Sequence, residues 1–277
     1  MIMGCVDVDS KKLAWNIRKD AITMVHEHHA SHIASALSVA DMLAVLYADI
    51  LHVDPQKPEW ENRDRFILSK GHAGVAVYAT LAEMGYFQKT ELSNYYSDGS
   101  VYSGHVSHKG VPGVEFSTGS LGHGVCVAAG MALAAKKKQA TYRVYSIIGD
   151  GECEEGSIWE MALFARQQQL GNLTVLIDHN KMQAMGNCSD IMDLENLFDK
   201  WRAFGWHTIH VQDGNNHDQL RAALQQVCVD VPTCIIAETV KGKGVSFMEN
   251  QLIWHYRDPQ GEAYEQAMKE MEAVHHA

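Results

Sequence analysis

Polar residues with metal-binding chemistry follow two apolar runs of the chain. The segment GDG at 149–151 comes after one run, and the segment DHNKM at 178–182 comes after the next. Because ligands of open parallel sheets lie at the carboxyl ends of the strands, we expect both segments at one site. A carboxylate oxygen from Asp150, an amide oxygen from Asn180 and one backbone carbonyl suit Mg²⁺ or Ca²⁺ holding a diphosphate. The alternative is that Asp150 only caps the next helix, which is worth about 1 kcal/mol.

The glycine-rich segment GDGECEEG at 149–156 does not match the common nucleotide-binding loops. It departs from G-x-G-x-x-G because position 154 is Glu, and the chain contains no G-K-[ST] sequence. Its four acidic side chains would repel a pyrophosphate unless a cation lay between them. The segment therefore favours a metal-bridged diphosphate over a dinucleotide.

Histidines are frequent, at 16 of the 277 residues. Four of them, His32, His72, His105 and His255, lie in predicted loops or just after predicted strands, where an imidazole can reach a cleft. Imidazole is suited to proton transfer near neutral pH and to contacts with phosphates. Each histidine taken alone is better explained as a hydrogen-bonded loop residue. Lys241 has two interpretations as well, since it could approach a phosphate or lie on a solvated loop.

The elements that must position these residues alternate along the chain. Helical spacing of apolar residues predicts helices over 10–29 and 38–50, the second with Ser38 as N-cap and Asp41 at the capping-box position. Strands are predicted at 66–69, 143–148, 173–177, 207–211 and 233–237, with helices between them. This alternation predicts an α/β fold with a three-layer parallel sheet and helices on both faces.

Composition limits the classes of function. The chain has 23 Lys and Arg against 34 Asp and Glu, a net charge of −11, which argues against nucleic-acid or membrane-surface partners. No apolar run is expected to approach the roughly 18 to 20 residues of a membrane span. The start has no signal-peptide pattern, and the six cysteines form no C-x-x-C pair, so we expect reduced thiols and a cytoplasmic protein. We expect a single domain over 1–277 with a loop-rich segment at about 241–260.

The motifs taken together resemble the transketolase family. The central motif is GDG-x4-G at 149–156 followed by D-x-N at 178–180. Five further blocks also resemble the family: SKGH at 69–72, GH at 104–105, PGVEFSTGSLG at 112–122, VKGKGVSFMEN at 240–250 and WH at 254–255. The resemblance extends from about residue 10 to residue 260. It implies the thiamine diphosphate-binding fold, in its pyrophosphate domain.

The resemblance also implies roles for individual residues. Asp150, Asn180 and the backbone carbonyl of Met182 would bind the metal, and Gly119, Leu121, Gly149, Gly151, His72 and His255 would lie at the cofactor. His32, His72, His105 and His255 would serve the diphosphate and the sugar protons. Glu155, which the resemblance places among both the catalytic and the cofactor-binding residues, matches a glutamate of a carboxylate network between the two cofactor sites of a dimer. The chain departs from the family where Ile33 and Val106 replace prolines, and where Tyr256 and Arg257 follow His255.

The resemblance covers only the pyrophosphate-binding half of a transketolase. It therefore implies a separate C-terminal subunit carrying the pyrimidine-binding domain, arranged as α₂β₂. The implied reaction is transfer of a two-carbon ketol unit between sugar phosphates, with thiamine diphosphate and Mg²⁺ or Ca²⁺. Two alternatives stay open: a subunit of another thiamine diphosphate enzyme, such as a deoxyxylulose-phosphate synthase or a 2-oxo acid decarboxylating enzyme, and a non-catalytic interaction subunit.

Overall fold

A five-stranded parallel sheet runs through the centre of the computed structural model, which describes residues 8–194 and 196–275. Its strands are β1 (Arg65–Leu68), β2 (Val144–Gly149), β3 (Leu173–His179), β4 (His207–Val211) and β5 (Thr233–Glu238). The spatial order is β1-β2-β3-β5-β4, and each neighbouring pair is parallel. Gly149 pairs with Asp178, so the carboxyl ends of β2 and β3 lie side by side. The predicted parallel α/β fold is confirmed.

Helices cover both faces of this sheet. They are α1 (Ser10–Glu27), α2 (Ile33–Val45), α3 (Gly74–Glu83), α4 (Gly124–Lys138), α5 (Gly156–Gln167), α6 (Cys188–Ile191), α7 (Leu197–Ala203), α8 (His217–Gln225) and α9 (Glu262–His275). Side chains alternate across a strand, so on β2 Tyr145 and Ile147 enter one core while Val144 and Ile148 enter the other. Helices α1, α2, α3, α8 and α9 close the first core, and α4, α5 and α7 close the second.

Helix α2 begins five residues earlier than the sequence predicts. The prediction of Ser38 as its N-cap, with Asp41 completing a capping box, is wrong because both residues lie inside the helix. All thirteen residues of the helix are buried, so tertiary packing rather than a side-chain cap fixes its start at Ile33. The Ser38 hydroxyl instead donates to Asp178 Oδ1 at 2.6 Å.

The stretch Ile33–Ile50 is long and apolar enough to cross a membrane, judged by length and composition alone. The expectation that no apolar run approaches this length is therefore wrong. Within the protein 83% of the stretch is buried. Packing between α1, α3 and the sheet explains its apolar composition.

One sheet with its helices accounts for the described residues, and the single domain over 1–277 stays a prediction. The loop-rich segment at 241–260 contains one short 3₁₀ turn, Leu252–His255. The five cysteines that the structure describes are free thiols, as expected. Cys5 lies outside the described residues.

Candidate functional site

A cavity of about 250 Å³ opens at the carboxyl ends of β1, β2 and β3. The structure brings together there every predicted site residue except Glu155: His32, His72, His105, Gly119, Leu121, Gly149, Asp150, Gly151, Asn180, Met182 and His255. They come from separate segments that follow strands or precede helices. This is the edge of a parallel sheet at which ligands bind.

Four imidazoles from four segments form one wall of the cavity. The ring centroid of His32 lies 5.3 Å from that of His72, 5.6 Å from that of His105 and 5.0 Å from that of His255. His32 is at the centre of the group and adopts a left-handed backbone conformation with φ +72°. Such a conformation is strained for a residue with a Cβ and is common at functional sites. Its backbone N–H donates to the His255 carbonyl at 2.8 Å, which joins two of the four segments.

The cavity keeps these histidines neutral at physiological pH. Burial lowers the pKa of His32 to about 4, and the neighbouring His105, Lys241 and Lys70 act in the same direction. Burial, Lys241 and His32 lower the pKa of His255 to about 3. Burial also lowers the pKa values of His72 and His105. A neutral imidazole both accepts and donates a proton, so the group can exchange protons with a bound substrate.

The three predicted metal ligands, Asp150, Asn180 and Met182, line the same cavity. Asp150 is 5% exposed, and its carboxylate accepts from the backbone N–H groups of Gly151 at 2.8 Å and Lys181 at 2.5 Å. Asn180 Oδ1 accepts from the Met182 N–H at 3.1 Å. Burial and then the nearby Asp178 charge raise the pKa of the Asp150 carboxyl. A divalent cation at this carboxylate would offset both effects.

The donor set fits a hard cation. A carboxylate, an amide oxygen and a carbonyl are oxygen ligands of the kind that Mg²⁺ and Ca²⁺ take. Among the described residues, no group of three or more His, Cys, Asp or Glu side chains could hold a metal by itself. The remaining coordination positions of a cation here would be open to water or to the oxygen atoms of a bound ligand such as a diphosphate.

A buried ion pair lies beneath the cavity floor. Lys70 Nζ is 2.5 Å from Asp178 Oδ2, and the two side chains are 3% and 0% exposed. Lys70 and hydrogen bonds from Ser38 and Thr239 overcome the effect of burial and lower the pKa of the Asp178 carboxyl. Lys70 and Asp178 therefore both stay charged, and the charged Lys70 side chain lines the cavity.

Lys241 supplies a second cation. It is 2% exposed, so the interpretation as a solvated loop residue is wrong. Its ammonium donates to the backbone carbonyls of Met182 at 3.0 Å and Gln183 at 3.2 Å. Burial and the Lys70 charge lower its pKa to about 8, so it is mainly protonated at neutral pH.

Glu155 is exposed and does not line the cavity, so its place at the cofactor stays a prediction. Glu155 is the extended residue before α5, whereas Glu152 lies in the preceding 3₁₀ turn and points inward. Glu152 accepts from Ser69 Oγ at 2.5 Å, Gly122 N–H at 2.9 Å and Gly149 N–H at 3.1 Å. These three hydrogen bonds hold the segments at Ser69, Gly122 and Gly149 together beside the cavity. The role implied for Glu155 across a dimer stays a prediction.

Two observations match the cavity to an anionic ligand. The Lys70 and Lys241 side chains both line it. The buried His255 Nδ1 has no hydrogen-bond partner among the described residues. A buried polar atom without a partner is costly and is commonly satisfied by a ligand at a binding site. The cations and this nitrogen suit the oxygen atoms of a diphosphate.

Sequence reasoning did not place five of the lining residues, Ser35, Lys70, Glu152, Gln183 and Ala184, and it left Lys241 open between a phosphate contact and a solvated loop. Lys70 lies two residues after the end of β1, so the rule applied to the ends of β2 and β3 could have found it. For Ser35, Gln183 and Ala184 the sequence carries no comparable signal.

A larger cavity of about 730 Å³ lies on the far side of Asp150, the one residue shared by the two linings. Lys181, His179 and His210 surround Glu238 there, and none of the four clustered histidines lines it. Volume alone would favour this cavity, but the convergence of imidazoles, cations and oxygen donors favours the smaller one.

Comparison with protein families gives one match. Residues 9–271 match the family described as "Transketolase, thiamine diphosphate binding domain". The match includes every residue that lines the 250 Å³ cavity.

Comparison with individual proteins gives relatives of two lengths. The chain is 41% identical to one subunit of the apulose-4-phosphate transketolase of Phocaeicola vulgatus, over 92% of this chain and 90% of that protein. It is 40% identical to the 6-deoxy-6-sulfo-D-fructose transketolase subunit SqwG of Clostridium sp., over 96% of this chain and 97% of that protein. It is 36% identical to human transketolase, over 94% of this chain but 42% of that protein.

Solved structures of transketolases have the same fold. The enzyme of Campylobacter jejuni superimposes with a TM-score of 0.89 at 30% identity, over 95% of this chain and 42% of that chain. A mutant transketolase of Pichia stipitis gives a TM-score of 0.90 at 27% identity, over 95% of this chain and 40% of that chain. The chain thus spans less than half the length of these solved enzymes and nearly all of the relatives named as subunits.

Proposed function

The chain belongs to the transketolase family, and from this premise we propose that it is the N-terminal subunit of a two-chain transketolase. With a separate C-terminal subunit it transfers a two-carbon ketol unit from a ketose phosphate to an aldose acceptor. The observation that carries the proposal is the convergence of four imidazoles with Asp150, Asn180 and Met182 in the lining of one cavity. The relatives named as subunits support the two-chain organisation.

The cofactor of this proposal is thiamine diphosphate with Mg²⁺, or Ca²⁺ in its place. Asp150, Asn180 and the Met182 carbonyl would hold the metal, which would offset the buried carboxylate charge. Lys70 and Lys241, which line the cavity, would pair with the diphosphate oxygens, and the partnerless Nδ1 of His255 could donate to one of them. Bound thiamine diphosphate supplies the carbon nucleophile that breaks and forms the carbon–carbon bond.

The histidines bind the sugar and move its protons. His105 is exposed at the mouth of the cavity, where it meets the donor hydroxyl groups. His32 and His255 are less exposed than His105, and their lowered pKa values keep both rings neutral, so that each ring has one nitrogen to donate to a substrate hydroxyl and one to accept from it.

The companion chain of this proposal completes the site from outside. Helix α5 exposes two large apolar side chains, Leu163 at 60% and Phe164 at 42%. Larger exposed apolar patches mark interfaces, so this helix is a candidate contact for another chain. In the proposed α₂β₂ assembly, the C-terminal subunit supplies the pyrimidine-binding domain.

Arg257 is proposed to recognise an anionic sugar substrate. It is exposed beside Tyr256, whose ring lies 4.9 Å from the His255 ring and 6.5 Å from the His32 ring. Its guanidinium therefore stands on the loop that carries a cavity histidine. A phosphate or sulfonate group of a sugar is a suitable partner for this cation.

The test is reconstitution of ketol transfer. The chain is mixed with its companion subunit, thiamine diphosphate and Mg²⁺, with hydroxypyruvate as ketol donor and an aldose phosphate as acceptor. A ketose phosphate lengthened by two carbons, formed only when both chains and the cofactor are present, is the expected product. Release of CO₂ from pyruvate without ketol transfer would support a decarboxylating enzyme instead. Cofactor binding without any turnover would support a non-catalytic role.

A further inference from the structure

A second buried polar network lies outside the cavity, between α1, α2 and α8. Its centre is the Asp41 carboxylate, which is 4% exposed. Arg18 donates to it through Nη1 at 3.0 Å and Nη2 at 2.5 Å. His217 Nε2 lies 3.0 Å from Asp41 Oδ1, and Asn215 Nδ2 donates to Oδ2 at 2.8 Å. Four hydrogen bonds to one buried carboxylate hold its neighbours in fixed positions.

Asn215 connects this network to the loop after β5. Its Nδ2 contacts Asp41, while its Oδ1 accepts from the Val240 N–H at 3.1 Å. One amide side chain therefore joins the buried carboxylate to the start of residues 240–244, here named the Lys241 segment.

The Lys241 segment has two further anchors. Arg18 Nε donates to the Lys243 carbonyl at 3.0 Å, so the residue that pairs with Asp41 also holds the segment. The Gly242 N–H donates to the Ala34 carbonyl on α2 at 2.9 Å. Between these anchors Lys241 extends into the cavity, where its ammonium contacts the Met182 carbonyl.

We propose that Asp41, Arg18 and Asn215 are positioning residues, which fix the Lys241 segment and thereby hold the Lys241 ammonium at the diphosphate end of the cavity. The part of the inference that concerns the diphosphate rests on the proposed function. The part that concerns the position of the segment rests on the hydrogen bonds alone.

The charge of the network supports the proposal. Burial acts to raise the pKa of Asp41, but Arg18 and the hydrogen bonds from His217 and Asn215 lower it well below its usual value. Asp41 is therefore a carboxylate at all physiological pH values. A charged acceptor makes stronger hydrogen bonds than a neutral one, which suits an anchor.

The first test is Asn215→Ala, because replacing Asp41 itself would leave the buried Arg18 charge unpaired and could unfold the chain. Native-state amide hydrogen exchange is measured on the full chain. The informative amide is Gly242, which bonds to Ala34 and not to Asn215. We expect its exchange to become at least tenfold faster. Unchanged protection of Gly242 would overturn the proposal.

The matched control is Asn216→Ala. Asn216 is the adjacent residue of the same type, and its side chain caps α8 by accepting from Asp218 and Gln219. This variant loses a helix cap without losing a contact of the Lys241 segment. Gly242 exchange should stay at the wild-type rate, and acceleration equal to that in Asn215→Ala would overturn the specific role of Asn215.

The second test is affinity for thiamine diphosphate in excess Mg²⁺, measured by titration calorimetry. Asn215→Ala should weaken binding at least fivefold in the wild-type background and leave it unchanged in a Lys241→Met background. Equal losses in the two backgrounds would overturn action through Lys241. If the wild-type chain binds no cofactor, whether by itself or with its companion, the proposed function fails, and Gly242 exchange still decides whether the network positions the segment.

Discussion

The amide nitrogen of Asn180 donates to Asp178 Oδ2 at 3.0 Å, and it also lies 3.3 Å from Ser38 Oγ. The amide oxygen of Asn180 therefore faces away from this buried pair of acceptors and toward the Met182 N–H. Asp178 fixes which end of the amide is available to a cation. The aspartate of the 178–182 segment thus orients a proposed metal ligand rather than acting as one.

Replacing Asp178 by Asn should destabilise the fold strongly. The Lys70 ammonium would remain buried without its counterion, and breaking a buried pair typically costs about 3–5 kcal/mol. Urea unfolding measures the change in free energy of unfolding. A matched control is Lys57→Ala, which removes an exposed pair with Asp54 and should change stability by less than about 1 kcal/mol. A loss of that small size in Asp178→Asn would contradict the account.

Replacing His105 by Ala should lower turnover more than cofactor affinity. His105 is exposed and is proposed to contact the substrate, so its loss should remove a proton-transfer group worth about 10² to 10⁴ in rate. Steady-state kinetics and cofactor titration on the two-chain enzyme separate the two effects. The reverse pattern, with affinity lost and turnover kept, would place His105 at the diphosphate instead.

The buried histidines should make the fold less stable as the pH falls below about 6.5. The pKa of His255 is about 3 in the folded chain and near 6.5 in the unfolded chain, so between these values the unfolded chain binds the additional proton. His32, with a pKa of about 4, acts in the same direction. At pH 5 a histidine that stays neutral in the fold costs about 2 kcal/mol.

Thermal unfolding at pH 7 and pH 5 tests whether His255 makes the folded chain less stable at the lower pH. The wild-type chain should lose more stability between the two values than His255→Gln, which cannot titrate at that position. Equal losses in the two chains would show that His255 does not contribute.

Replacing Arg257 by Met should raise KM for substrates that carry an anionic group. The substitution keeps an extended side chain and removes the charge that would contact a phosphate or sulfonate. Steady-state kinetics on the reconstituted enzyme should show a larger KM effect with sugar phosphates or sulfonates than with uncharged sugars that lack these groups. An unchanged KM for every donor and acceptor would eliminate this role.

The strand-end chemistry could be predicted because it depends on chain order and on strand direction. Once 143–148 and 173–177 are assigned to neighbouring parallel strands, Asp150 and Asn180 must lie at one edge. The histidines could be proposed individually, but only the fold places the rings of His32 and His255 5.0 Å apart. That distance depends on contacts between segments far apart in the chain.

The errors arose where tertiary contacts overrode local signals. Ser38 has the composition of a cap, yet the core buries it against Asp178. Glu152 and Glu155 belong to one acidic run, and only the 3₁₀ turn decides which one points inward. Lys241 stayed open between a phosphate contact and a solvated loop, because no local pattern reveals that the Met182 and Gln183 carbonyls accept from it.

The most direct test of the central claim is native mass spectrometry of the chain and its companion with thiamine diphosphate, in Mg²⁺ and in EDTA. The account predicts a cofactor adduct that requires the metal and that disappears in Asp150→Ala while circular dichroism shows the fold retained. An adduct that survives in EDTA or in Asp150→Ala would contradict the assigned diphosphate site. The absence of any adduct with both chains present would contradict the proposed function itself.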